Sequence, residues 1–485
     1  MMEEKKQEFS WQPSLGKKGI ALLLLSLLLS FGYQFIHPAL LSTNFQHMPG
    51  IGLTISQWVL LGIALFLGRE KLKDIKQNWQ GIFLLCCAAL LGACYGIYGN
   101  NYLRLMNLPV LIFVTAQALF SLMKANTAPS LSARGLWEGL RRFFPGCFIH
   151  LFLPFRVFGN LIKTDRKRLN GLGTGLIFSV AIGLIAVCLL SSADRVFSGI
   201  IEEGILSLDR INGIFLFQLF FALAGGLMLF SLLYSAIIQP RELGDHPAAS
   251  LPPVLSLSMV LSALALIYGL FVYVQFKYLF GNQETALLSG GYAEYARSGF
   301  FQLVLLSFLT LALILPTLSL YPRQTYLRCI CAIVALLTVV IDFSAFFRMR
   351  LYIQAYGLSL LRIITIWGMA MLFIALMLAL AKCIFPRFRL SVPLAAAVLA
   401  SWMLLNFSNV DLQIARYNVN AYNQGALTKL DVHYFTALSP DVLPALDEIA
   451  DEALREETKK EFIRIMQEIF PAGYDWALCW TKIKQ

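Results

Sequence analysis

Residues 329–347 read Cys-Ile-Cys-Ala-Ile-Val-Ala-Leu-Leu-Thr-Val-Val-Ile-Asp-Phe-Ser-Ala-Phe-Phe, fenced by Arg328 and Arg348. Nineteen residues at about 1.5 Å each reach about 28 Å, close to the roughly 30 Å hydrocarbon core of a bilayer. One acid, Asp342, interrupts the run. Comparable stretches recur along the chain, at 19–40, 51–67, 81–98, 107–123, 171–190, 213–235, 254–277, 298–320, 360–384 and 391–408. Within a bilayer only a helix satisfies its own backbone polar groups, so each stretch is predicted helical. The expected fold is all-α: a polytopic transmembrane helix bundle of about 11 spans followed by a small helical C-terminal extramembrane domain.

Composition agrees. The 485 residues are 58% hydrophobic and 14% charged, with a mean hydropathy of +0.68, whereas ordinary soluble chains are about 25% charged. The net charge of +11 points to membrane electrostatics and not to nucleic acid, because basic loops are retained in the cytoplasm and attracted to anionic lipid. The first apolar run follows Lys17 and Lys18 and is followed by no small-x-small cleavage site, so it reads as a retained first helix.

Lysines and arginines fall on alternate gaps. With a cytoplasmic N-terminus, the inside segments carry 23 of the 39, the outer loops 8 and the region beyond residue 408 another 8. The bias places the N-terminus in the cytoplasm and the C-terminus outside a cell membrane. The domain division is then 1–18 cytoplasmic, 19–123 four helices, 124–170 a basic cytoplasmic interfacial segment, 171–408 seven helices with outer-face motifs, and 409–485 an extracytoplasmic helical domain. Between Arg142 and Arg156 the run Phe143–Phe155 is too short to span and rich in phenylalanine. It is expected to lie on anionic inner-leaflet lipid, with residues 134–168 as the contact, and to be cut into short helices by Pro145 and Pro154. In the C-terminal region, Ser439-Pro440-Asp441 reads as a helix start, and Leu446, Ile449, Phe462, Ile463 and Met466 recur at helical spacing, interrupted by the polar stretch 455–461.

The nine cysteines form no CxxC, and the five histidines lack metal spacing, so no cofactor or metal is expected. Nor does a nucleophile or acid–base motif appear, which leans against an enzyme. The polar clusters gather on the expected outer face: Asp194; Tyr292, Glu294, Tyr295 and Arg297; Arg348, Arg350 and Arg362; and Asp411, Arg416 and Asn418. With Asp342 they form the candidate functional cluster. Each has a plainer role beside the functional one. Glu294 and Arg297 would cap a helix, the tyrosines would anchor at the interface, Asp342 would pair with an outer-loop arginine, and Asp411, Arg416 and Asn418 would set the docking angle of the C-terminal domain.

Several of these segments, YLFG at 278–281, YAEYARSGF at 292–300, AYGLSLLR at 355–362 and IARYN at 414–418, occur with Leu430-Asp431 and Leu438-Ser-Pro-Asp441. As a set, over about residues 171–445, they resemble a family of bacterial multi-pass membrane proteins catalogued as a domain of unknown function, of the 4153/4173 type. The chain departs from that pattern at Asn409-Val410-Asp411, where the family often has Asn-Pro-Asp, and at Arg195, where it has proline. The resemblance implies a bacterial cytoplasmic membrane and supplies no activity. A regulatory, sensory or accessory membrane protein working at the outer face is the expected role. A secondary transporter or channel-like permease around Asp342 and the arginines is the alternative, although only Gln117, Gln218 and a Gly225-Gly226 break support it.

Overall fold

The computed structural model describes residues 15–36, 49–72, 77–155, 157, 213–239, 253–278, 300–468 and 478–479. Every regular element among them is helical. The helices of the apolar region are α1 (Gly16–Ile36), α2 (Ile51–Leu67), α3 (Trp79–Ile97), α4 (Asn101–Leu122), α5 (Ala133–Ile149), α6 (Gly213–Ile237), α7 (Val254–Tyr278), α8 (Phe300–Leu320), α9 (Thr325–Tyr356), α10 (Leu360–Ile384) and α11 (Ser391–Phe407). The polar C-terminal region forms α12 (Val410–Asn423), α13 (Val432–Thr436), α14 (Leu443–Leu446) and α15 (Glu452–Glu468). Short 3-10 turns stand at Arg69–Leu72 and Pro440–Val442.

Seven helices, α3, α4 and α6 to α10, are long and apolar enough to cross a membrane, or eight if α11 and α12, bent by 62°, form one span. That count is of the described residues and does not confirm the eleven expected. The run 171–190 lies outside the described residues, and α2 is apolar but only 17 residues long. The surface these helices present is that of a protein bathed in lipid: Leu255, Leu266 and Leu361 are each more than 70% exposed, and contiguous apolar surface on this scale is not tolerated in water.

Local sequence starts the helices. Asn78 caps α3 by accepting from Gly81 N at 3.0 Å, Asn100 caps α4 through Leu103 N at 2.8 Å, and Ser132 caps α5 through Gly135 N at 3.0 Å, each satisfying a backbone donor that a helix start leaves open. Packing between spans relies on small residues, because lipid tails compete with apolar side chains for one another. Gly225 and Gly226, expected as a helix break, lie inside an unbroken α6. A Cβ on Gly226 would meet Leu27 Cα at 3.2 Å and Ser26 O at 3.3 Å, so the pair is where α1 and α6 touch.

Three further expectations are corrected. Pro145 does not cut the interfacial segment; α5 continues through it. The turn on its far side is held to α6, where Ser231 Oγ donates to Gly146 O at 2.6 Å. The polar stretch 455–461 does not interrupt a helix either, since α15 spans it and salt bridges of Arg464 with Glu461 and Glu468 support its exposed face. Finally, α9 runs on to Tyr356. Asp342, which stands five residues from the end of the apolar run 329–347, is therefore near the middle of the helix, about 21 Å along the axis from its end.

The connections sort into two ends. At one, Lys18 pairs with Glu70 at 2.9 Å, Lys71 Nζ donates to Ile237 O at 2.7 Å, Asn78 donates to Ser121 O at 2.9 Å, and Arg328 Nε donates to Cys383 O at 2.9 Å. At the other, the α3–α4 and α9–α10 turns meet the C-terminal helices.

Gly226→Ala is expected to destabilise the protein by about 1–3 kcal/mol through overpacking against the α1 backbone. Gly269→Ala, where a Cβ meets nothing within 4 Å, is expected to be neutral or stabilising. Thermal unfolding of the two variants in detergent checks the contrast.

Candidate functional site

Asp411 stands in the first turn of α12, just after Asn409, whose φ of 51° is left-handed. That conformation is one asparagine tolerates better than most residues. It turns the chain sharply out of α11 and drives Asp411 inward, to 2% exposure. A buried carboxylate must be met by donors. Asn100 Nδ2 donates to Oδ1 at 2.5 Å and Ser439 N donates to Oδ2 at 2.9 Å. Burial pushes the Asp411 carboxyl up, while the bonds from Ser439 and Asn100 pull it back. Because Asn100 also caps α4, one side chain joins the α3–α4 turn, α12 and the chain leading to Pro440.

A second junction lies beside it. Asn418 Oδ1 accepts from Leu358 N at 2.6 Å and its Nδ2 donates to Leu358 O at 2.9 Å, as a neighbouring strand would. Gly357, at φ 77°, makes the approach possible: a Cβ there would meet Asn418 Oδ1 at 2.6 Å. Tyr434 Oη accepts from Leu360 N at 3.0 Å, satisfying a donor of the first turn of α10. Arg362 folds back over Tyr352, with its guanidinium carbon 4.2 Å from the ring centre, and donates to Tyr356 O at 3.0 Å and to Gly357 O. It thus serves the last carbonyls of α9, an arrangement the helix dipole favours.

Asp411, Asn418 and Arg362 are therefore brought to one end of the bundle, the first two onto the joints between α12 and the membrane helices. Arg416 lies on the outer side of α12, paired with Glu448 at 3.0 Å. Asp342 and Arg348 are buried in α9, Arg350 is exposed, and no ion pair joins Asp342 to an arginine among the described residues. Asp342 Oδ1 accepts no hydrogen bond there. Asp194, Tyr292, Glu294, Tyr295 and Arg297 lie outside the described residues.

Sequence reasoning missed the partners. An asparagine just before an apolar run is a signal that could have marked Asn100 as a helix cap, but nothing local to it names Asp411 as its partner. Deeper down, Asn107 Nδ2 donates to Asn406 Oδ1 at 2.5 Å and Trp402 Nε1 donates to Asn107 Oδ1 at 2.8 Å, tying α4 to α11 among apolar side chains.

The opposite end holds a different feature. Between α3, α4 and α5 on one side and α8, α10 and α11 on the other runs a groove of about 1450 Å³. Its walls are apolar and its mouth carries Arg134, Lys382, Arg387 and Arg389. Its rim at α5 is anchored by Glu138, which accepts from the Thr127 hydroxyl at 2.7 Å and from Thr127 N at 3.0 Å and Ala128 N at 3.2 Å, and pairs with Arg134 at 3.2 Å. Burial pushes the Glu138 carboxyl up, but these donors outweigh it and hold it below the ordinary value.

Residues 85–449 match the family described as Domain of unknown function (DUF4153). The chain belongs to this family. The match begins well before the segments that carry the resemblance and takes in Asn100, Asn107, Asn406 and Asp411, so the joint between the early and late helices lies within the family region. No curated protein and no solved structure matches the chain.

Asn100→Ala is expected to leave Asp411 short of a donor and to cost about 1–3 kcal/mol, read as faster proteolysis within residues 424–468 and a lower Tm. For Glu138, a depressed folded pKa means stabilisation that is complete above the ordinary value of 4.5 and lost as pH falls through the folded value. The Tm gap between wild type and Glu138→Gln is expected to be widest above that pH and to close on acidification.

Proposed function

We propose that this membrane protein is a non-catalytic accessory or regulatory subunit of a bacterial cytoplasmic membrane. On this reading its N-terminus is cytoplasmic, the chain crosses about eleven times, and residues 409–485 form an extracytoplasmic domain that offers a surface to partners. One observation carries the proposal: the described members of the outer cluster nearest that domain are engaged in fastening it. Asp411 and Asn418 bond the backbone or caps of neighbouring elements, and Arg362 closes the end of α9. A rigidly mounted platform suits assembly or sensing, in which a binding event outside must be felt by the helices below.

The second reading, secondary transport, draws on Asp342. A buried acid at the middle of a 32-residue helix, with one oxygen that accepts no hydrogen bond among the described residues, is what a proton or cation relay requires. Two residues further along α9, Ser344 Oγ donates to Gln275 Oε1 of α7 at 3.1 Å, a second buried polar contact of that helix.

Two measurements separate these ideas. In intact cells a membrane-impermeant maleimide is expected to label Arg416→Cys, whereas Arg389→Cys is labelled only after permeabilisation; the reverse pattern would overturn the orientation. For role, Asp342→Asn is expected to leave the cellular phenotype unchanged, while Asn418→Ala, which frees α12 from Leu358, abolishes it at normal protein level. The opposite outcome would favour transport.

A further inference from the structure

The groove opposite the C-terminal domain combines three properties. Its flanks are apolar over a considerable depth. Val110 and Phe113 of α4, Leu394 and Val398 of α11 and Leu315 of α8 line the groove. From Ser391 at the mouth to Leu399 inside, α11 alone descends about 12 Å, most of the way through one leaflet. The volume of about 1450 Å³ exceeds the roughly 300–1,000 Å³ of small-molecule sites, so there is space for acyl chains.

The mouth is cationic. Arg134, Lys382, Arg387 and Arg389 line it, and no carboxylate does among the described residues. Lys382 Nζ donates to Phe388 O at 3.0 Å, which folds the α10–α11 turn so that Arg387 and Arg389 both stand exposed and, among the described residues, outside any ion pair. Arg134 keeps Glu138 on one side, yet its side chain is 78% exposed.

The bilayer level is marked independently. Helix α5, which supplies Arg134, buries a face of Gly135, Glu138, Gly139, Arg142 and Gly146 and exposes Trp137, Phe144 and Phe148. An amphipathic helix of this kind lies along the boundary between headgroups and acyl chains. The four cations are therefore at headgroup depth, and the apolar trough runs from there into the hydrocarbon. Because the groove sits between the early helices and the late ones, its occupant touches both.

We propose that this groove is a binding site for an anionic phospholipid, with the phosphate held by Arg387, Arg389, Lys382 and Arg134 and an acyl chain laid between α4 and α11. Neutral lipid gains only the trough and free phosphate only the mouth; an anionic lipid gains both. The site does not depend on the role of the C-terminal domain or on which side of the membrane it faces.

The full-length protein, delipidated in a neutral detergent, is titrated with dioleoyl-phosphatidylglycerol, dioleoyl-phosphatidylcholine or inorganic phosphate, and bound lipid is counted by native mass spectrometry beside the thermal shift. Phosphatidylglycerol is expected to bind and raise Tm; phosphatidylcholine and phosphate are not. The double variant Arg387→Gln/Arg389→Gln, whose side chains make no structural bond among the described residues, is expected to fold as wild type and to bind phosphatidylglycerol about 30-fold more weakly. Val398→Trp, which fills the trough and spares the arginines, is expected to lose the lipid as well. Equal binding of the two lipids, stabilisation by phosphate alone, or unchanged affinity in the well-folded double variant would each overturn the proposal.

Discussion

A carboxylate removed from water has to be answered by hydrogen-bond donors, and at Asp411 those donors come from distant parts of the chain. Asn100 reaches it across 311 positions and Ser439 across 28. Each donor is already committed to its own element, Asn100 as the cap of α4 and Ser439 as the residue before the Pro440 turn. Losing any member leaves a buried polar group exposed to a low-dielectric surrounding, where the cost is high. The position of the C-terminal helices is therefore over-determined: Asn418 with Leu358 and Tyr434 with Leu360 repeat the fastening on α10.

The same logic joins the helices below. Lipid gives apolar helices little reason to prefer each other, so polar pairs such as Asn107 with Asn406, and close contacts at glycine such as that of α6 with α1, decide which helices are neighbours. Packing follows this pattern. One cluster of buried side chains runs from α3 and α4 through α11 into α12 and α15, a second unites α7 to α10, and a third holds α1, α4 and α6. The first carries the C-terminal helices and the second holds Asp342, which separates the two functional readings in space as well as in chemistry. The groove lies where the early and late helices diverge, away from the polar joints.

Several features were legible in the sequence because their causes are local. The bounds of α2 and α10 coincide with the apolar windows 51–67 and 360–384. The end of α9 was misjudged because Arg348 and Arg350 interrupt the hydropathy, yet the helix continues, with the rings of Tyr352 and Tyr356 meeting edge-to-face at one-turn spacing. Loss of apolar character marks where a helix leaves lipid, not where it ends. The phenylalanine-rich composition of Phe143–Phe155 was visible in the sequence, but that Pro145 could be tolerated within α5 depended on α6 lying alongside.

Hydrophobic run length, the alternation of cationic connections and the caps at Asn78, Asn100 and Ser132 are properties of neighbouring residues, and the sequence by itself determined them. It thereby determined a helical membrane protein with its basic loops at one end. Only the tertiary structure decided that Asn100 meets Asp411, that Asn418 meets Leu358, and that Arg134 shares a groove with Arg387 and Arg389. Such encounters depend on which helices become neighbours, and a single polar residue in an apolar helix has no periodicity that names its partner.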